Sequence, residues 1–302
     1  MNQTVFWSFA ILGLFIWMLF RPHSTDPWKV LGAFILLLVS GPAMVATLKW
    51  GAHAYPVKYD YVLQAIDESL GLTAFQVARL FNDWERTILI AVYESLGAAM
   101  VAWYGVHIVI RSEQSRKLMY SFLILYVSGA VLYGIVPAMG PRYAFNATFP
   151  VGHPTFVPAP AALDGYPNAM PSLHMATAFM LVLFNNRNRW LLGISSLFLA
   201  GTVAATLALE HYVIDLIVAV PFTCYAFELA QGRLKAATKY LAGLLGWLMM
   251  IRFGWLGLVR HPSILRSLAA CSIAVGVYAV VRRRTAEETV AAPLVADFAA
   301  TQ

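Results

Sequence analysis

Of the chain's 302 residues, 60% are hydrophobic and 12% charged, and the mean hydropathy is +0.67. A soluble globular domain carries about 25% charged residues, so the composition excludes one and places this chain in a bilayer. The net charge of +6 includes no basic run interleaved with aromatics, which argues against a nucleic-acid partner.

A helix needs about 20 apolar residues to cross a hydrocarbon core of ~30 Å. Such runs lie near 4–20, 29–48, 86–110, 118–139, 190–209, 211–229, 238–258 and 264–281, with a shorter one at 172–184. Helices satisfy their own backbone in lipid. The expected fold is therefore an all-α integral membrane protein, a helical bundle of about eight or nine transmembrane helices with one interfacial amphipathic segment. The first run has no basic leader and no small-residue cleavage site, so it reads as a retained helix. If all nine runs cross, alternate loops on one side carry 13 of the 21 lysines and arginines. The positive-inside rule makes that side cytoplasmic and turns the 49–85 connection and the 140–171 loop outward.

The chain divides into a two-helix extension (1–50), an outer-face amphipathic segment (51–85), a helical core (86–230), two further helices (231–284) and a tail (285–302) read as disordered. Between Pro56 and Glu85, residues Tyr59, Val62, Leu63, Ile66 and Leu70 fall at helical spacing with Asp60, Asp67 and Glu68 on other faces. This is the pattern of an interfacial helix, and equally of a soluble cap helix. The stretch from Gly140 to Met170 holds six of the fifteen prolines, which excludes a continuous helix. A connection of that length inside a compact protein is usually functional. Cys224 and Cys271 both fall in apolar runs and form neither a disulfide framework nor a metal-type spacing.

Ionisable residues in or beside a span are costly in lipid and are functional candidates by default. Glu94, His107, His174, Glu210, His211 and Asp215 meet that description. His107 sits at a cytoplasmic helix end and needs no function. Glu94 lies two turns into its span and should face a pocket. In "LALEHYVIDLIVAVP", His211 and Asp215 are four apart and share one helix face. A carboxylate there can take the Nδ1 proton of the imidazole and leave Nε2 as nucleophile or base, although a purely structural hydrogen bond has the same spacing. The run after Ser172 goes inward and the next returns to Glu210, so His174 comes back to the same membrane side as His211. Arg142, in "AMGPRYAF", ends on that side too, with fork-shaped donors suited to phosphate oxygens or to snorkelling. Ser172 follows Pro171 as a natural N-cap, and a capped helix start also attracts anions.

"PSLH" followed by "EHYVIDLIVA" resembles the second and third motifs of the phosphatidic acid phosphatase type 2 superfamily. Within it, the segment from Arg86 to Glu228 is most similar to the lipid phosphotransferase branch of inositol phosphorylceramide and sphingomyelin synthases. The resemblance implies that His211 is a nucleophile forming a phosphohistidine, that Asp215 orients it, and that His174 protonates the leaving oxygen and then deprotonates the acceptor. It implies a phosphate-binding role for Ser172, a phospholipid donor, a lipid or water acceptor, and neither cofactor nor metal. Arg142 takes the first-motif role, and Glu94, Glu210 and Tyr212 are pocket candidates. Two departures stand out. The only Arg-Pro, Arg21-Pro22, has Leu14 where the phosphatase motif has lysine, and Ala204 and Ala205 stand where a Ser-Arg precedes the third-motif histidine. A phosphodiester carries one charge and a phosphomonoester nearly two, so fewer cations favour transfer of a phospho-head group, phosphoinositol if in kind with the resembled branch, over monoester hydrolysis. The alternatives are a lipid or polyprenyl phosphate phosphatase on the same site, a non-enzymatic transport or scaffold protein, and a metal site built from His174, His211 and Asp215.

Overall fold

The computed structural model describes residues 27–110, 112–152, 154–185 and 188–299. The first apolar run at 4–20, Leu14 and Arg21-Pro22 lie outside the described residues. The chain folds as helices α1 (Pro27–Ala54), α2 (Asp60–Leu70), α3 (Ala74–Ala78), α4 (Asp83–Glu94), α5 (Leu96–Ile110) and α6 (Ser112–Leu132), then α7 (Pro141–Ala144) and a 3-10 turn (Asn146–Thr148). After the proline-rich loop come α8 (Leu173–Asn185), α9 (Arg189–Leu209), α10 (Val213–Ala230), α11 (Leu234–Arg260) and α12 (Pro262–Ala299). Two-residue strands β1 (Val57–Lys58) and β2 (Ala161–Ala162) pair antiparallel, with Val57 opposite Ala162.

Four helices are long and apolar enough to cross a membrane: α9, α10, α11 and the Pro262–Arg282 part of α12. The α4–α5 pair makes a fifth if counted as one span. The eight or nine spans expected from sequence thus reduce to four or five on this criterion among the described residues. The run expected at 86–110 is broken by a 50° bend between α4 and α5, where Ser95 turns its hydroxyl onto the Val92 carbonyl. A serine that bonds its own preceding turn commonly bends a helix. The run expected at 118–139 ends at Leu132, before Gly134 and Pro137. The last helix continues to Ala299, past the point where a disordered tail was expected from residue 285.

Helix α10 is the axis of the bundle. Nearly every side chain from Ile214 to Phe227 is buried, and α6, α8, α11 and α12 pack around it, with α2 against it as well. An all-round apolar helix is stable only when covered on every side.

The 56–85 segment departs most from its pattern. Val62, Leu63 and Ile66 are buried as the periodicity requires, but Asp60 and Asp67, expected on other faces of the helix, are buried too. This helix is inserted into the fold, and its acidic face is covered by backbone N–H groups of other elements. The proline-rich loop is likewise built rather than loose. Pro141 occupies the first turn of α7, where its missing N–H costs nothing. Phe145, Phe149 and Phe156 cluster with Tyr61 and Phe75, and the Arg79 guanidinium donates to the carbonyls of Pro150, Val151 and Gly152.

Candidate functional site

The site forms where α9 ends, α10 begins and α8 begins. Helix α9 stops at Leu209, and the turn Glu210–His211–Tyr212 leads into α10. The Asp215 carboxylate reaches back to the Tyr212 N–H at 2.9 Å, one half of a capping box. The same oxygen lies 3.3 Å from His211 Nδ1, which also lies 3.1 Å from the Ala169 carbonyl. Both neighbours are acceptors, so Nδ1 carries the proton and Nε2 keeps its lone pair. The spacing of four thus delivers the contact expected from it. Asp215 is fully buried and its second oxygen meets no partner among the described residues.

Helix α8 brings the second imidazole. Ser172 Oγ accepts the Met175 N–H and caps α8, and the Ser172 N–H donates to the Asp215 carbonyl, which joins the starts of α8 and α10. One residue into α8, His174 stands with its ring centroid 5.9 Å from that of His211. Its other face is stacked on Tyr93 of α4, with centroids 3.8 Å apart and planes 19° from parallel.

Glu210 joins the remaining parts. Its two carboxylate oxygens accept from Tyr93 Oη at 2.7 Å and from Tyr143 Oη at 2.8 Å. Tyr143 neighbours Arg142 on α7. That short helix is pressed against the Glu210–Tyr212 turn at Gly140, whose φ is +95° and where a Cβ would stand 1.9 Å from the Glu210 carbonyl oxygen. Only glycine fits there.

Two carboxylates of α2 lock this arrangement from behind. Asp60 accepts from the N–H groups of Met139 and Gly140 and from the Tyr212 hydroxyl. Asp67 accepts from the N–H groups of Val213 and Ile214, two donors left open at the start of α10. Burial pushes the Asp60 carboxyl up to about 6 against the opposing pull of its donors, and pushes Asp67 well above the ordinary aspartate range.

A cavity of about 680 Å³ opens beside this cluster, lined among others by Arg86, Arg142, Tyr143, Asp164, Tyr166 and Asn168. It ends at Asn168, next to the Ala169 that contacts His211, and at Leu209, two residues before His211. Burial and the Glu210 carboxylate raise the Tyr143 hydroxyl to about 12, so it stays a donor.

Of the residues singled out from sequence, His174, His211 and Asp215 come together, and Arg142 lines the adjoining cavity. Ser172 is fully buried as a helix cap and does not line the cavity. Glu94, expected in the pocket, is exposed. Its predecessor Tyr93 faces the site instead, because successive residues on a helix point about 100° apart. Tyr212 is buried on Asp60 rather than lining the pocket. Glu210 touches the cavity through Tyr143. Lys58 is buried and bonded to the Tyr55 carbonyl, and burial lowers its ammonium. Arg86 lines the cavity as well; it lies seven residues before Tyr93, which on a helix is the same face. Among the described residues, no group of three or more His, Cys, Asp or Glu is placed to hold a metal ion.

The family model for the PAP2 superfamily matches residues 62–229, from α2 to the end of α10. No curated protein and no solved structure matches the chain.

Proposed function

The chain belongs to the PAP2 superfamily, and from that premise we propose that it is a membrane lipid phosphotransferase acting through a phosphohistidine on His211. Members of the superfamily are generally phosphatases or phosphotransferases, and the helical, membrane-suited fold agrees with a lipid substrate. The observation that carries the reading is the hydrogen-bonded His211–Asp215 pair with His174 across from it, beside a cavity holding two guanidinium groups.

In the first step His211 Nε2 bonds to the phosphorus of a phospholipid head group. The bond from phosphorus to the lipid oxygen breaks, its electron pair stays on that oxygen, and His174 supplies the proton. In the second step the oxygen of a lipid hydroxyl bonds to phosphorus, the N–P bond returns its pair to His211 Nε2, and His174 takes the hydroxyl proton. Asp215 stabilises His211 in the tautomer that attacks and the positive charge that builds on its ring. Arg86 and Arg142 balance the charge spread over the phosphoryl oxygens, and positioning does most of the catalytic work. The first N–H groups of α8, at Leu173 and His174, precede its first intrahelical bond from Ala176 to Ser172 and add a second anion-binding element. This keeps a phosphate-binding part for the Ser172 helix start while its hydroxyl serves as cap.

Two arginines share the cavity wall with the Asp164 carboxylate, and Asp83 lies 3.9 Å from Arg86. A wall with so little net positive charge suits a phosphodiester, such as a phosphoinositol head group, better than a monoester. The excess of basic residues on alternate loops, counted with all nine apolar runs crossing, supports a site on the non-cytoplasmic face of a multi-pass bundle. The second reading, a lipid phosphate phosphatase with water as acceptor, is favoured by Arg86, which adds a cation that the motif comparison lacked.

Purified protein incubated with head-group-labelled glycerophospholipids and with labelled phosphatidic acid, each with and without ceramide or diacylglycerol, separates the two. Label moving to the added lipid alcohol supports transfer. Label released only as inorganic or head-group phosphate supports hydrolysis, and no turnover with either counts against both.

A further inference from the structure

Two imidazoles share this site, and they are held in different ways. The His211 ring is fixed by hydrogen bonds at Nδ1. The His174 ring meets no hydrogen-bond partner at either nitrogen among the described residues, and its contacts are the stacked face of Tyr93 and the neighbouring His211. Tyr93 is itself fixed from the far side, through its hydroxyl on the Glu210 carboxylate. Glu210 in turn is the residue before His211 and takes a second bond from Tyr143 on the cavity wall. One carboxylate thus ties the ring that supports His174, the turn that carries His211 and the short helix that carries Arg142.

We propose that Tyr93 and Glu210 are positioning residues that orient His174 for proton transfer by ring stacking in place of a hydrogen bond. The inference rests on the reaction proposed above. A group that first gives a proton to a leaving oxygen and then takes one from an acceptor oxygen works best with its ring nitrogens unoccupied. A hydrogen bond of the Asp215 kind would hold one of them in a single tautomer. A stacked aromatic face fixes the plane of the imidazole and leaves both nitrogens open. It also favours the imidazolium that forms when His174 takes up the acceptor proton, since a cation is attracted to a ring face. Glu210 keeps Tyr93 from rotating away. A misplacement of about 1 Å in a reacting group costs about a hundredfold in rate, so a lost stack registers in kcat.

The test is a double-mutant cycle on purified protein, with a head-group-labelled glycerophospholipid as donor, diacylglycerol as acceptor, and transferred and free phosphate read in parallel. Tyr93→Leu should lower kcat about a hundredfold with KM nearly unchanged. Tyr93→Phe keeps the ring and loses only the Glu210 tether, so its kcat should fall between those of the unaltered protein and Tyr93→Leu, the shortfall being the part that Glu210 supplies, and it shows that the site still folds. In the His174→Ala background, Tyr93→Leu should add no further loss, because the group that it positions is gone. If Tyr93→Leu costs the same factor with or without His174, or if Tyr93→Phe is as impaired as Tyr93→Leu, the positioning role is wrong. Inactivity of the unaltered protein, or full activity of His174→Ala, overturns the reaction itself, which is a different outcome.

Discussion

The Asp67 carboxylate, on a helix more than 140 residues earlier in the chain, accepts the backbone N–H of Val213 at 2.7 Å and that of Ile214 at 3.0 Å. It therefore caps the helix whose first turn carries Asp215 and whose preceding residues are Glu210, His211 and Tyr212. Asp67→Leu leaves both donors buried without an acceptor, at about 1–3 kcal/mol each. The thermal midpoint in detergent should fall clearly, while Asp67→Asn, which keeps one acceptor, should fall less. An unchanged midpoint in Asp67→Leu would show that α10 is capped in another way.

Asp60 gives a pH dependence with a definite sign. Its folded carboxyl titrates at about 6, raised by burial, against 3.8 without the fold. Between those values the folded state holds the proton more tightly than the unfolded state, so this residue's contribution to stability is greatest below about pH 4 and declines as pH rises through 6. Asp67 is raised as well and acts in the same direction from the same lower limit. Thermal midpoints taken from pH 4 to pH 7 should therefore fall less steeply in Asp60→Asn than in the unaltered protein. Parallel slopes would mean that Asp60 titrates as an ordinary exposed carboxyl.

Gly140 permits the close approach of the Arg142 helix to the Glu210–Tyr212 turn. Gly140→Ala sets a Cβ against the Glu210 carbonyl oxygen and forces a side chain into a positive φ. Folded yield and activity should both drop sharply, whereas Gly105→Ala, in α5 with open space around it, should leave both intact. Activity retained in Gly140→Ala would show that the turn moves freely.

The two cavity arginines should differ from the histidines in kinetic signature. Arg86→Gln and Arg142→Gln remove charge that binds the phosphoryl oxygens, so each should raise KM and lower kcat together. His174→Ala removes a general acid and base and should lower kcat about 10²–10⁴-fold with a smaller change in KM. Steady-state kinetics on the labelled donor reads both. An Arg86→Gln enzyme with unaltered constants would remove that residue from the site.

The part of this architecture written in apolar periodicity was legible before any coordinates. The helical membrane bundle, the capped start of α8 and the four-residue step from His211 to Asp215 each follow from spacing along one helix. What escaped depends on contacts between elements. Periodicity located the apolar face of α2 but had no means of showing that Asp60 and Asp67 are covered by N–H groups from 139–140 and 213–214. Charge within a span marks Glu94 and not Tyr93, whose hydroxyl reaches Glu210 and whose ring face stacks on His174 without any charge. The 50° bend that lets α4 point Arg86 and Tyr93 toward the cluster is set by one serine–carbonyl bond, which no apolar run records. The length of α8 is another such case. Its 13 residues place His174 at the head of a short helix, joined to the start of α10 by a bond from Ser172 to Asp215.

The central claim is a covalent phosphorus on His211. Purified protein is mixed briefly with a phospholipid carrying radioactive phosphorus in its head group, quenched in alkali and digested, and the labelled peptide is sequenced. The expected result is an acid-labile, base-stable label on the peptide containing His211, lost in His211→Asn and discharged when a lipid alcohol is added. Product formation at full rate with no label on His211, or with label on another residue, would contradict it.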